Sequence, residues 1–189
     1  MSAPTPYYED ELVTLYLGDC LTVDAWLAAD VLVTDPPYGI GWSRGSNVNP
    51  SIGRYSKAHG GILNDQDTST RDKALALATE KPALVFGSFY APPPQRVRQV
   101  LVWHKPADSG VVGSTTGYRR DAEPIYLLDP WPIDTVKWAS VLRSSQRSIK
   151  SVTVLTGHPH TKPLDLLRTL MERCPPGVVA DPFAGSGST

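Results

Sequence analysis

Two short segments at opposite ends of the 189-residue chain carry side chains suited to chemistry: Asp35-Pro36-Pro37-Tyr38 and Asp181-Pro182-Phe183-Ala184-Gly185-Ser186-Gly187. Each follows an apolar run, Val31–Thr34 in the first case and residues 178–180 in the second, that reads as a buried strand. The carboxyl end of a strand is where an open α/β sheet places its ligands. In the first segment the prolines stop the strand and hold a backbone carbonyl rigidly beside the carboxylate. The tyrosine adds a flat surface. Read alone, the same four residues also describe a strand closed by a proline turn with a packed ring. In the second segment, glycines let the backbone approach a ligand closely and accept positive φ. A phosphate-binding loop is the rival reading there, but the lysine required by G-x-x-x-x-G-K-[ST] is absent.

A third segment, His158-Pro159-His160-Thr161-Lys162-Pro163-Leu164, leads into a predicted helix that precedes the second motif. Softer signals are Leu17-Gly18-Asp19-Cys20, Val102-Trp103-His104-Lys105-Pro106 and Arg120-Asp121-Ala122-Glu123. In this order the segments resemble the motifs of the amino-group (N6-adenine/N4-cytosine) DNA methyltransferases, in the permuted, β-type arrangement with the catalytic motif first. The resemblance runs from about residue 12 to the end.

That resemblance implies S-adenosyl-L-methionine as cofactor and double-stranded DNA as partner. It gives Asp35, Pro36, Pro37 and Tyr38 the catalytic role. Asp35 would accept from the target amine, Pro36 would offer its carbonyl, and Tyr38 would stack on a base taken out of the duplex. The amine lone pair is delocalised into the base ring, and two acceptors on its hydrogens favour the nucleophilic form. The cofactor would lie against Asp19, Thr161, Lys162, Pro163, Asp181, Phe183, Gly185 and Gly187. An Asp-initiated motif favours adenine N6, with cytosine N4 as the alternative. A non-catalytic DNA-binding fragment is the reading from a different class.

Alternating strands and helices must position these motifs, which points to an α/β sheet. Strands are predicted at residues 12–17, Val31–Thr34, Ala83–Phe86, 100–103, 125–128 and 178–180. Helices are predicted at 22–28, 70–80 and Leu164–Met171, the last with apolar positions 164, 166, 167, 170 and 171. The resemblance implies a Rossmann-like S-adenosylmethionine-dependent methyltransferase sheet in the order 3-2-1-4-5-7-6, with residues 12–17 as strand 3 and 178–180 as strand 1. The helix after the glycine loop and strand 2 are lacking, so strand 1 is expected to be an exposed edge and residues 12–17 poorly anchored. Residues 1–189 read as a single methyltransferase domain, incomplete at its carboxyl end, with a short DNA-recognition insert at about 129–157.

The net charge of −1 argues against a wholly basic nucleic-acid binder, but the charge is uneven. Residues 1–95 carry 6 Lys/Arg against 11 Asp/Glu, whereas residues 96–150 carry 9 against 5. A basic middle suits a protein that grips phosphates on one face. Arg44, Arg54 and Lys57 in the Gly/Ser/Asn-rich loop 39–64, with Arg143, Arg147 and Lys150, are the DNA-binding candidates. So short a recognition segment reads few base pairs or needs a second copy of the chain or a complementing carboxyl-terminal segment. Cys20 and Cys174 form no disulfide framework, and no metal site is expected from His158 and His160. No apolar run is long enough to span a membrane, and the acidic amino-terminal stretch lacks signal-peptide features. A cytoplasmic chain is expected.

Overall fold

The computed structural model describes residues 4–41, 48–49, 54–55, 62–106, 109, 116–144 and 161–185. The centre of the fold is built from two four-residue apolar runs, β3 (Val31–Thr34) and β6 (Ala83–Phe86), every residue of which is buried. Strands buried on both faces read as continuous apolar runs and need cover on each side. Helix α1 (Ser69–Leu77) supplies one cover: Leu75 joins Leu32, Ala78, Ala83, Val85, Tyr126 and Leu128. Helix α2 (Leu164–Met171) supplies the other, with Leu166, Leu167 and Leu170 packed on Val33, Leu84, Phe86, Trp103, Ile125 and Leu127. Adjacent residues Leu32 and Val33 point into different layers, as strand alternation requires.

Around this centre lie β7 (Val97–His104), β8 (Ala122–Leu128), β9 (Val141–Arg143) and β10 (Val179–Ala180). The sheet runs β10-β3-β6-β8-β7-β9. β10, β3 and β6 are parallel, β8 is antiparallel to both β6 and β7, and β9 is parallel to β7. Relabelled by the expected scheme, the first five strands give 1-4-5-7-6. β10 forms an edge: among the described residues no strand pairs with its other side. Its seat against β3 requires Gly177. A Cβ there would come within 2.4 Å of Asp30 Oδ2, and φ is +134°. Asp30 in turn accepts the Val178 amide at 2.7 Å.

Two expectations need correction. Residues 12–17 do not enter the large sheet. Asp10 accepts the Leu12 and Val13 amides, turning the chain so that β2 (Thr14–Leu15) pairs with β1 (Tyr8–Glu9) in an exposed hairpin. Residues 22–28 hold only a 3-10 turn, Ala25–Ala28, because Asp19 captures the Leu21, Thr22 and Val23 amides in its own turn. The insert at 129–157 contains β9, and loop 39–64 contains a small hairpin of β4 (Val48–Asn49) with β5 (Arg54–Tyr55). Among the described residues no helix is long and apolar enough to cross a membrane.

Candidate active site

The pairings Val179↔Val31 and Ala180↔Leu32 bring the ends of β10 and β3 side by side. The two distant motifs therefore meet. Thr34 Oγ1 donates to Asp181 Oδ1 at 2.5 Å, and the Phe183 amide donates to the same oxygen at 2.9 Å. In the Asp19–Cys20 turn the Cys20 carbonyl accepts from Trp26 Nε1 at 2.9 Å. Burial, followed by the charges of Asp19 and Asp181, pushes the Cys20 thiol pKa upward, so both carboxylates lie within electrostatic reach of it. Gly185 takes φ +53°, and among the described residues a Cβ there would meet only the Phe183 carbonyl at 3.6 Å, leaving the backbone of this turn approachable from them.

Beyond β3, Pro36 is buried and Asp35 and Tyr38 are half-buried. Tyr38 Oη donates to Asp35 Oδ1 at 2.8 Å and receives a hydrogen bond from Lys162 Nζ at 2.8 Å. The same ammonium lies 2.8 Å from Asp35 Oδ2 and 3.5 Å from Glu123 Oε2. Lys105 makes a second ion pair with Glu123. Around Lys162 stand three aromatic rings, with centroids 5.3 Å (Tyr38), 5.0 Å (Phe86) and 6.0 Å (Trp103) from Nζ. Such a cation is held by ring quadrupoles as well as carboxylates. Lys162 reaches this position because it precedes α2, whose three leucines fix the helix on the sheet.

The exit from the Asp35–Tyr38 turn is fixed as well. Gly39 adopts φ +74°, with its amide donating to Asp65 Oδ1 at 2.7 Å. A Cβ at Gly39 would collide with the Asp67 backbone at 2.5 Å. The Gly41 amide donates to the Asp65 carbonyl at 2.6 Å.

No protein-family model matches the sequence. The chain is 29% identical over 196 residues to "Putative methylase YubD" of Escherichia coli (strain K12), an alignment covering 91% of this chain and 75% of that protein. In structure it is similar to the M1.HpyAVI-SAM complex, with a TM-score of 0.53 and 17% identity across 92% of this chain and 84% of that one. The chain has a Rossmann-like methyltransferase fold. The sheet order is that of that fold.

Of the residues singled out in the sequence, Asp35, Pro36, Pro37, Tyr38, Asp19, Thr161, Lys162, Pro163, Asp181, Phe183 and Gly185 have described positions. Thr161, Lys162 and Pro163 are buried at the foot of α2, and the Pro163 carbonyl accepts the Leu167 amide at 3.1 Å. Lys162, expected beside the cofactor, makes its described contacts with Asp35, Tyr38, Glu123 and the Phe86 and Trp103 rings. Arg143 is exposed at the end of β9, and Arg54 lies in β5. Gly187, Arg44, Lys57, Arg147, Lys150, His158 and His160 lie outside the described residues. Glu123 and Lys105 lie in the two softer sequence segments, Arg120–Glu123 and Val102–Pro106, and neither was assigned a role there. Their signal was a charge of each sign at the ends of two apolar runs that the β7–β8 pairing joins, with Trp103 opposite Glu123.

Protonation follows from this packing. Burial pulls the Glu123 carboxyl pKa upward, but the Lys162 and Lys105 ammoniums outweigh it and hold the group below its ordinary range. Burial pulls Lys162 downward, and Asp35 and Glu123 outweigh that, leaving it above its ordinary value. Burial, Asp35 and Glu123 all push the Tyr38 phenol well above 10.0, so it remains a hydrogen-bond donor at neutral pH. Linkage gives the sign. The stabilisation from Glu123 is complete above the ordinary value of 4.5 and is lost as pH falls through the depressed folded value. That from Lys162 is complete below 10.5 and is lost as pH rises through the raised folded value. Urea denaturation followed between neutral pH and about pH 3 is expected to show a smaller acid-side loss of stability in Glu123→Gln than in the unaltered protein. Parallel acid-side curves would remove Glu123 from this account.

Proposed function

We propose that the chain is an S-adenosylmethionine-dependent DNA methyltransferase that modifies the exocyclic N6 of adenine in a base turned out of the duplex. The observation that carries this reading is the meeting of the Asp35-Pro36-Pro37-Tyr38 turn with the Asp181 turn across adjacent parallel strands. The methyltransferase fold and the likeness to a methylase support it, and the motif resemblance supplies DNA and adenine.

Asp181, Phe183 and Gly185, with Gly187 beyond them, would hold the cofactor together with Thr161, Lys162, Pro163 and Asp19. The approachable backbone at Gly185 and the fixed Asp181 carboxylate fit that task. When bound, S-adenosylmethionine supplies the methyl group as an electrophile on a positively charged sulfur. The chain's own residues then orient the nucleophile. The Asp35 carboxylate and the Pro36 carbonyl accept the two amine hydrogens, drawing the nitrogen lone pair out of conjugation. An ionised carboxylate has about four acceptor positions, so Asp35 keeps capacity for substrate while bonded to Tyr38 and Lys162. The Tyr38 ring faces the base, with its hydroxyl fixed from both sides. Pro36 and Pro37 keep the acceptors from moving when the base enters. Residues 1–189 act as one methyltransferase domain in this reading, and the stretch at about 129–157 contributes to DNA recognition.

The test is incubation with methyl-labelled S-adenosylmethionine and unmodified duplex DNA, followed by digestion to nucleosides. Label in N6-methyldeoxyadenosine is the expected result. Label in N4-methyldeoxycytidine would replace the base assignment and retain the chemistry. Salt-sensitive DNA binding without any label would support the non-catalytic reading instead.

A further inference from the structure

The end of the sheet that carries Asp35 also gathers an unusual set of exposed side chains from four other strands. β6 lies parallel to β3 with Val85 opposite Thr34, so Phe86 ends its strand where Asp35 begins the catalytic turn. The chain then turns through residues 87–90. Gly87 permits this, since a Cβ there would meet the Tyr126 ring at 2.5 Å, and Ser88 fixes the turn by accepting the Tyr90 amide at 3.1 Å. β8 runs the opposite way, so the residues before it, Tyr118 to Asp121, emerge at the same end. β7 finishes there too, with His104 opposite Ala122, and β9 finishes beside it with Arg143 opposite His104.

Three large rings are left in water at this edge: Phe89 is 57% exposed, Tyr90 64% and Tyr118 84%. The Arg120 guanidinium lies over the Tyr90 ring at 4.4 Å. Arg119 pairs with Asp121 at 3.0 Å, and Arg143 donates from Nε to His104 Nδ1 at 3.3 Å. Among the described residues named at this edge, three arginines thus stand against one aspartate, on a chain whose net charge is −1. Scattered apolar residues on a surface are ordinary. Rings interleaved with guanidiniums at the mouth of a site are the pattern that binds nucleic-acid strands, with bases stacking on rings and phosphates meeting the cations.

We propose that Phe89, Tyr90, Tyr118, Arg120 and Arg143 form the surface on which the DNA strand flanking the reacting base lies. This rests on the methyltransferase reading above and assigns it a substrate-holding face of which the sequence had marked only Arg143. The rings take the place of stacking partners that neighbouring bases lose when the target leaves the duplex, and the guanidiniums bind the adjoining phosphates.

Fluorescence anisotropy with a short labelled duplex, repeated over a range of salt, tests the surface alongside the methyl-transfer assay. Tyr90→Ala is expected to weaken binding about 5- to 100-fold, whereas Tyr90→Phe stays near the unaltered protein. Arg120→Ala is expected to reduce the salt slope by about 1. Both sites are exposed, and unchanged far-ultraviolet circular dichroism checks that the variants fold. If the unaltered protein methylates DNA and Tyr90→Ala and Arg120→Ala bind and transfer as it does, the surface is wrong and the methyltransferase reading stands. If the unaltered protein neither binds nor methylates DNA, both fall. Tighter binding of an RNA duplex of the same sequence would overturn the DNA assignment of the surface.

Discussion

Asp35→Asn is expected to lower the methyl-transfer rate by about 10²- to 10³-fold, the usual cost of removing one preorganised hydrogen-bonding group from a reacting centre. The substitution preserves shape and removes charge and one acceptor. Asparagine still accepts the Tyr38 hydroxyl hydrogen through its carbonyl, so the turn is retained. Its amide nitrogen would face Lys162 or the incoming amine, donor against donor in either case. Lys162 keeps Glu123 as a counter-charge at 3.5 Å, so the fold loses only part of its ion-pair network. Single-turnover transfer of labelled methyl groups measures the rate, and thermal melting checks stability. A melting curve like that of the unaltered protein with a rate retained to within about tenfold would take the chemistry away from Asp35.

The parts of the fold legible in the sequence are those whose burial is complete. Val31–Thr34 and Ala83–Phe86 are covered on both faces, so every residue had to be apolar or able to hide its polar atom, and their limits were visible. Leu164–Met171 was visible because its core leucines repeat at helical spacing. By contrast, β9 buries only Leu142 of its three residues, which leaves no pattern to read. The β1–β2 hairpin buries none, and its formation depends on how one side chain, Asp10, bonds the backbone. For the site, the motif segments announced themselves through unusual residue combinations at strand ends. The ion pairs among them did not. Whether Glu123 meets Lys105 and Lys162 depends on the antiparallel β7–β8 pairing and on where α2 lands, and neither is encoded locally.

Removing the ammonium from this network should have the largest effect on stability. Lys162→Met is expected to destabilise the protein by about 3–5 kcal/mol, the range for breaking a buried ion pair from one side. The side chains concerned are well covered, with exposures of 9% for Lys162, 24% for Asp35 and 16% for Glu123. Without Nζ, the two carboxylates would face one another near the Tyr38 hydroxyl with only Lys105 to offset them. Methionine fills much of the space among Tyr38, Phe86 and Trp103, so loss of volume contributes little. The double variant Lys162→Met/Glu123→Gln separates charge from packing, because it removes one of the carboxylates that the missing cation had balanced. Its stability is expected to exceed that of Lys162→Met by at least about 1 kcal/mol, a coupling of the size seen for residues in one network. Urea denaturation of the two single variants, the double variant and the unaltered protein completes the cycle. Additive losses would mean that Lys162 stabilises the fold through its aliphatic stem and the surrounding rings, and that its approach to Asp35 and Glu123 is incidental.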